Sequence, residues 1–154
     1  MKVRRRHVGV GAAAVLGVGA AAAWKLRGSG VVRRLAPQPG ERLLGAGPYA
    51  GSFAAEVAEK LWPGGELALV DVPESAADEA HHRGLESVTL VGGEHSLPFE
   101  DESFDGAYVT GPTDFAELRR VLRPGARVVV ADGGQHAAAE SAGLARHGRG
   151  RYRR

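Results

Sequence analysis

The 154-residue chain contains no cysteine. Disulfides, thiolate metal sites and a cysteine nucleophile are therefore excluded. Acidic residues are missing from the first 34 positions, which carry eight Lys/Arg. Residues 133–154 are nearly as one-sided, with five Arg against Glu140 alone. Between these ends, residues 35–132 hold seventeen acidic and seven basic residues. The sequence pI of about 9.3 thus belongs to the termini, and the middle is acidic. That distribution argues against a nucleic-acid footprint on the folded middle, which would need a basic face. A metal site is also not expected. Asp78 and His82 stand at i, i+4 beside His81, but no third ligand accompanies them, so they read as a solvated polar face.

Residues 8–24 are seventeen positions without a formal charge, between M-K-V-R-R-R-H and K-L-R. A membrane-spanning helix needs about 20 apolar residues, so this run is at the short end. The basic start and Ala21-Ala22-Ala23 also suit an export signal, whereas Lys25 and Arg27 form a stop-transfer flank. The reading adopted is a single-pass membrane anchor within residues 1–30, with Trp24 as its interfacial residue. An export signal and a helix lying on the membrane or domain surface are the alternatives. Basic residues on both sides leave the orientation open. Pro37, Pro39 and Gly40 mark residues 31–40 as a linker.

From residue 41 the pattern alternates between strand and helix. R-L-L-G (42–45) is a short buried strand. Phe53, Val57 and Leu61 recur at i, i+4 and i+8 with Ala54 and Ala58 beside them, which is one helical face over 50–61. Pro63-Gly64-Gly65 ends that helix before a second strand, E-L-A-L-V-D (66–71). A helix over 73–83 opens with Pro and stops at Gly84. Strands follow at 87–91 and 105–110. Asp114 with Glu117 predicts a capping box for a helix carrying Phe115, Leu118 and Leu122. Arg123-Pro124-Gly125 turns into R-V-V-V-A-D (127–132), the most apolar strand. Strands alternating with helices imply a parallel sheet with right-handed crossovers, hence an α/β fold. Residues 41–134 form that domain, and 135–154 are expected as a helix to Arg146 and a disordered basic Arg/Gly tail.

In an open parallel sheet, ligands bind beyond the carboxyl ends of the strands. The turn G-A-G-P-Y-A-G (45–51) lies there, and its glycines let backbone N–H groups approach a ligand. Asp71, at the end of the second strand, is placed to accept hydrogen bonds from two ribose hydroxyls. A glycine turn plus this acid suits a nicotinamide-nucleotide protein as well as any other nucleotide binder. Tyr49 reads either as a lid over a small ligand or as a packed turn residue. For Asp71 the alternative is a helix N-cap ahead of Pro73.

Two later segments separate these choices. V-G-G-E-H-S-L-P-F-E-D-E-S-F-D (91–105) and L-R-R-V-L-R-P-G-A-R-V-V-V-A-D (118–132) together resemble the class I S-adenosylmethionine-dependent methyltransferases, of the methyltransferase type 11 kind. The resemblance covers about residues 41–132. It implies a Rossmann-like, doubly wound sheet of about five strands in the order 3-2-1-4-5. The last two strands of the family are expected to be absent, because only twenty-two residues follow Asp132. It also implies S-adenosylmethionine as cofactor, and a domain on the cytoplasmic side, where that cofactor is found. By the resemblance, Asp71 holds the ribose, Glu94 and His95 reach the adenine, and the turn with Gly45, Gly47 and Gly51 faces the methionine end.

The chain departs from the family's D-L-G-C-G-x-G turn at two places. Gly45 stands where the acid belongs and Tyr49 where the middle glycine belongs. Glu94 replaces the commoner Asp. Methyl transfer needs chiefly alignment and exclusion of water, so the lack of an evident catalytic acid–base pair is no objection. The function read from the sequence is therefore a membrane-anchored S-adenosylmethionine-dependent methyltransferase-like protein acting on an acceptor that no motif names. The alternatives are a degenerate, non-catalytic module of the same fold at the membrane, and a NAD(P)-binding Rossmann protein. The edge of the fifth strand is a candidate for dimer pairing.

Overall fold

The computed structural model describes residues 30–73, 75, 78, 88–91 and 96–154. The expected anchor segment, Glu94, His95, His81, His82 and most of the helix over 73–83 lie outside these residues, although Ser75 and Asp78 are helical.

Leu43 and Leu44 are both fully buried because their strand, β1 (Arg42–Ala46), runs through the middle of the sheet. A strand covered on both faces reads as a continuous apolar run rather than an alternation. β1 pairs in parallel with β2 (Glu66–Val70) and β4 (Phe104–Val109). β3 (Val88–Val91) continues the sheet beyond β2, and β5 (Leu122–Val130) continues it beyond β4. The order 3-2-1-4-5 is the one expected.

Helices cover both faces. On one side, α1 (residues 30–35) and α2 (Ala54–Leu61, entered through a 3-10 turn, Ala50–Phe53) pack on Leu43, Leu67, Leu69, Tyr108 and Val129. On the other, α3 (Phe115–Val121) and α4 (His136–Ser141) pack on Leu44, Val70, Ala107, Val109 and Val128. This is the doubly wound α/β architecture.

Four expectations are corrected. First, two short strands follow β5, where the last two strands of the family are expected to be absent. β7 (Arg151–Arg153) pairs antiparallel with β5, and β6 (Ala145–Arg146) pairs with β7, so among the described residues the sheet has seven strands in the order β3-β2-β1-β4-β5-β7-β6. Tyr152 is buried between two exposed arginines. One aromatic in a basic tail is too short a pattern for a periodicity argument, but the open edge of β5 supplies its hydrogen bonds. The tail is therefore ordered, and the β5 edge expected to be open for a second copy is occupied by β7. Second, the linker over 31–40 begins as α1, with Val31, Val32 and Leu35 buried at i, i+1 and i+4. Arg127 fastens that helix by donating from Nε to the Leu35 carbonyl (2.9 Å) and pairing with Glu41 (2.5 Å). Third, the helix expected over 135–146 ends at Ser141. Gly143 adopts a left-handed φ of 86° there, and Leu144 N–H returns to the Ala139 carbonyl, the glycine stop of a helix C-terminus. Fourth, the expected single-pass membrane localisation is not supported. Among the described residues no helix is long and apolar enough to cross a membrane, and the run at 8–24 on which that expectation rested lies outside them.

Candidate cofactor site

The carboxyl ends of the three central strands are flush, since Ala46 is in register with both Val70 and Val109. The glycine turn, Asp71 and the segment starting at Thr110 consequently meet along one edge. Gly47 bends the chain there with φ 102°. Its N–H donates to the Val70 carbonyl (3.1 Å), which ties the turn to the residue before Asp71. A Cβ on Gly47 would lie 2.8 Å from both Gly111 N and Thr110 Oγ1, closer than atoms pack, so only glycine lets this corner approach the end of β4. The turn then closes through Ala50 N–H to the Gly47 carbonyl and Ser52 N–H to the Tyr49 carbonyl, with Gly51 half-buried in the 3-10 turn.

Asp71 is exposed and has a φ of 56°. A left-handed non-glycine residue is uncommon, and such conformations gather at functional sites. Among the described residues its carboxylate has no hydrogen-bond partner.

Gly45 does not line this edge. A Cβ there would meet Tyr108 Cζ at 2.5 Å, Tyr108 Oη at 2.6 Å and Leu69 Cδ2 at 2.8 Å. The space of the family's acid is filled by the Tyr108 ring, whose hydroxyl donates to the Ala50 carbonyl (2.7 Å). Burial holds that phenol's pKa far above its ordinary value, so it stays neutral. The structure thus ties Gly47 to the residue before Asp71, places Gly51 in the 3-10 turn that follows, and gives Gly45 to packing.

Two residues were missed from sequence. Thr110 is the buried polar side chain of the described core. Its hydroxyl accepts from Tyr49 N–H (3.1 Å) and donates to the Ala46 carbonyl (3.2 Å), fixing the turn from the β4 side. Tyr108 fixes it from beneath. No local pattern marked either residue, because their partners in the turn and β1 lie 58 to 64 residues away.

The other acids at this edge serve as caps. Asp114 Oδ1 accepts from Ala116 and Glu117 N–H, and Asp132 accepts from Gly134 N–H. The capping box is only half formed, because Glu117 turns elsewhere. Its carboxylate accepts from Leu97 N–H (3.0 Å) and from the Arg120 guanidinium. Those bonds, Arg120 first, pull its pKa below the ordinary glutamate value. Arg120 donates in turn to the Phe99 and Leu97 carbonyls and to Asp101, so one guanidinium ties the loop at 96–101 to α3. Among the described residues no cluster of potential metal ligands forms.

A family model described as a methyltransferase domain matches residues 44–130. The ubiquinone/menaquinone biosynthesis C-methyltransferase of Paracoccus denitrificans is 34% identical over an aligned length of 110, gaps included, covering 62% of this chain and 44% of that protein. The chain spans less than half the length of the first curated relatives it matches. Among solved structures, a SAM-dependent methyltransferase from Aquifex aeolicus superposes with a TM-score of 0.66 at 20% identity, covering 79% of this chain and 81% of that one. The cyclase SpnF superposes with a TM-score of 0.59 at 28% identity, over 69% of this chain and 43% of its own. The matched span is more than half of the 154 residues, and on that ground the chain belongs to the methyltransferase domain family, whose implied cofactor is S-adenosylmethionine.

Proposed function

We propose that this chain binds S-adenosylmethionine over the carboxyl ends of β1 and β2 and directs its methyl group to an acceptor. The observation that carries the reading is the pairing, one hydrogen bond apart, of a corner that tolerates only glycine with a strained, exposed carboxylate. The donor set fits the nucleoside half of the cofactor. Asp71 would accept hydrogen bonds from the ribose hydroxyls, and Gly47 and Gly51 would let the turn's backbone lie against the ligand. Glu94 and His95 keep the adenine role implied by the resemblance. Gly45 has no contact role, and nothing at that position offers a charge to the methionine amino group.

When bound, the cofactor supplies a methyl group already activated on a sulfonium. The protein's task is then to hold the nucleoside, orient the methyl and exclude water. The non-catalytic module and the nicotinamide-nucleotide binder are not favoured, since the family match and the curated relatives point to methyl transfer.

Isothermal calorimetry of the full chain tests the reading. Heat is expected with S-adenosylmethionine and S-adenosylhomocysteine, none with NAD, and a loss of at least tenfold in affinity in Asp71→Asn. Heat with NAD alone, or an Asp71→Asn variant that binds like wild type, would overturn it.

A further inference from the structure

We infer that Gly45 and Tyr108 are a coupled pair, and that Tyr108 is a positioning residue for the cofactor turn in place of the family's acid at position 45. The inference rests on the cofactor reading for its functional half and on geometry alone for its structural half. Gly45 and Tyr108 are register partners on adjacent parallel strands, so their side-chain positions project to the same face. The tyrosine ring crosses the volume over Gly45 so closely that any Cβ there would sit 2.5 Å from Cζ. Its path ends at the Ala50 carbonyl, at the start of the 3-10 turn that carries Gly51. Phe53, the last residue of that turn, meets the same ring edge-on, with centroids 5.9 Å apart.

Two residues further along β4's path, the Thr110 hydroxyl holds Tyr49 N–H from above. The turn is therefore held at Tyr49 and Ala50 by two hydroxyls that both come from the end of β4. A carboxylate at 45 would need the volume the ring occupies. Gly45 is thus not a decayed motif residue but the condition for Tyr108 to reach the turn. Restoring a side chain at 45 is expected to damage the site that a family comparison says it should repair.

A double-mutant cycle on the full chain tests the coupling. Gly45→Ala is measured in wild type and in the Tyr108→Leu background, which removes the Cζ and hydroxyl that a Cβ would strike. The drop in melting temperature caused by Gly45→Ala is expected to be at least twice as large in wild type. Equal drops in the two backgrounds would overturn the pairing. Tyr108→Phe tests the positioning role, because it keeps the ring and removes only the bond to Ala50. Amide hydrogen exchange in 47–53 is expected to accelerate at least tenfold while the amides of β2 hold their wild-type rates, and affinity for S-adenosylhomocysteine is expected to fall at least fivefold. Turn exchange and affinity both within twofold of wild type would sink the positioning role. Should wild type bind no S-adenosylhomocysteine, the function proposed above fails, and the exchange and melting arms still decide the Gly45–Tyr108 pair.

Discussion

Replacing Asp71 by glycine separates a binding role from a structural one. The residue holds φ 56° with its carboxylate exposed and unbonded to any described residue. A left-handed conformation costs an L-residue roughly 1–2 kcal/mol, less for Asp, and glycine removes that cost. Glycine also gives the unfolded chain more freedom, which offsets about 0.5–1 kcal/mol of the gain. The net effect on stability is therefore about 0 to +1 kcal/mol, or up to ~4 °C in melting temperature for a domain of this size. Binding should move the other way. Hydrogen bonds to a charged group contribute roughly 1.5–3 kcal/mol each, and solvent exposure reduces that for Asp71. A loss of about 2 kcal/mol is then reasonable for two ribose bonds, roughly a 30-fold weaker complex with S-adenosylhomocysteine. Calorimetry and thermal unfolding on the same sample read both quantities. A fall of more than a few degrees with affinity intact would refute the reasoning. Asp71 would then be a helix cap, whose removal costs about 1 kcal/mol.

Gly47→Ala adds a Cβ at a φ of 102°, 2.8 Å from backbone nitrogen, and should cost roughly 2–4 kcal/mol in urea unfolding; a change within 0.5 kcal/mol would contradict the packing argument. Arg120→Lys keeps the charge but loses the planar fork that reaches Leu97, Phe99 and Glu117, so stability should fall by roughly 1.5–3 kcal/mol, with faster exchange at 96–101. Glu117 has a folded pKa below its unfolded one. Its contribution is therefore complete above the ordinary glutamate range and is lost as pH falls through the folded value, so the stability gap between wild type and Glu117→Gln should shrink as pH drops below the ordinary glutamate range; a gap that stays constant across acid pH would refute this. Tyr152→Ala empties the buried anchor of β7 and should cost roughly 3–5 kcal/mol, whereas Tyr152→Phe loses only the contact with His136 (2.9 Å) and about 1 kcal/mol. Equal effects of the two would mean that β7 is held by that polar contact rather than by burial.

Much of the fold was legible in the chain because it is encoded over short distances. Phe53, Val57 and Leu61 declare α2 by spacing alone, Asp114 announces α3, and Pro63-Gly64 and Pro124-Gly125 punctuate the strands. Asp71 could be placed beside the glycine turn because parallel strands joined by right-handed crossovers bring their carboxyl ends to one edge. The site was legible to the same depth and no further. Gly45 looked like a member of the turn because it belongs to the motif's spacing, but spacing says nothing of which face a residue presents. Thr110 was invisible since its partners, Ala46 and Tyr49, lie more than sixty residues away.

Local period, turn chemistry and charge were enough for the α/β class, the acidic middle and a glycine turn beside Asp71, whereas the central strand order came from the resemblance to the methyltransferases. It took the folded chain to show that R-Y-R at 151–153 is a strand, that V-V-R-R-L at 31–35 is part of the core and that Gly45 makes room for a ring. In each of those cases the stabilising partner is remote in the chain. A three-residue strand takes its hydrogen bonds from β5, a short helix takes its burial from Leu43 and Val129, and a glycine is required by a tyrosine sixty-three positions later.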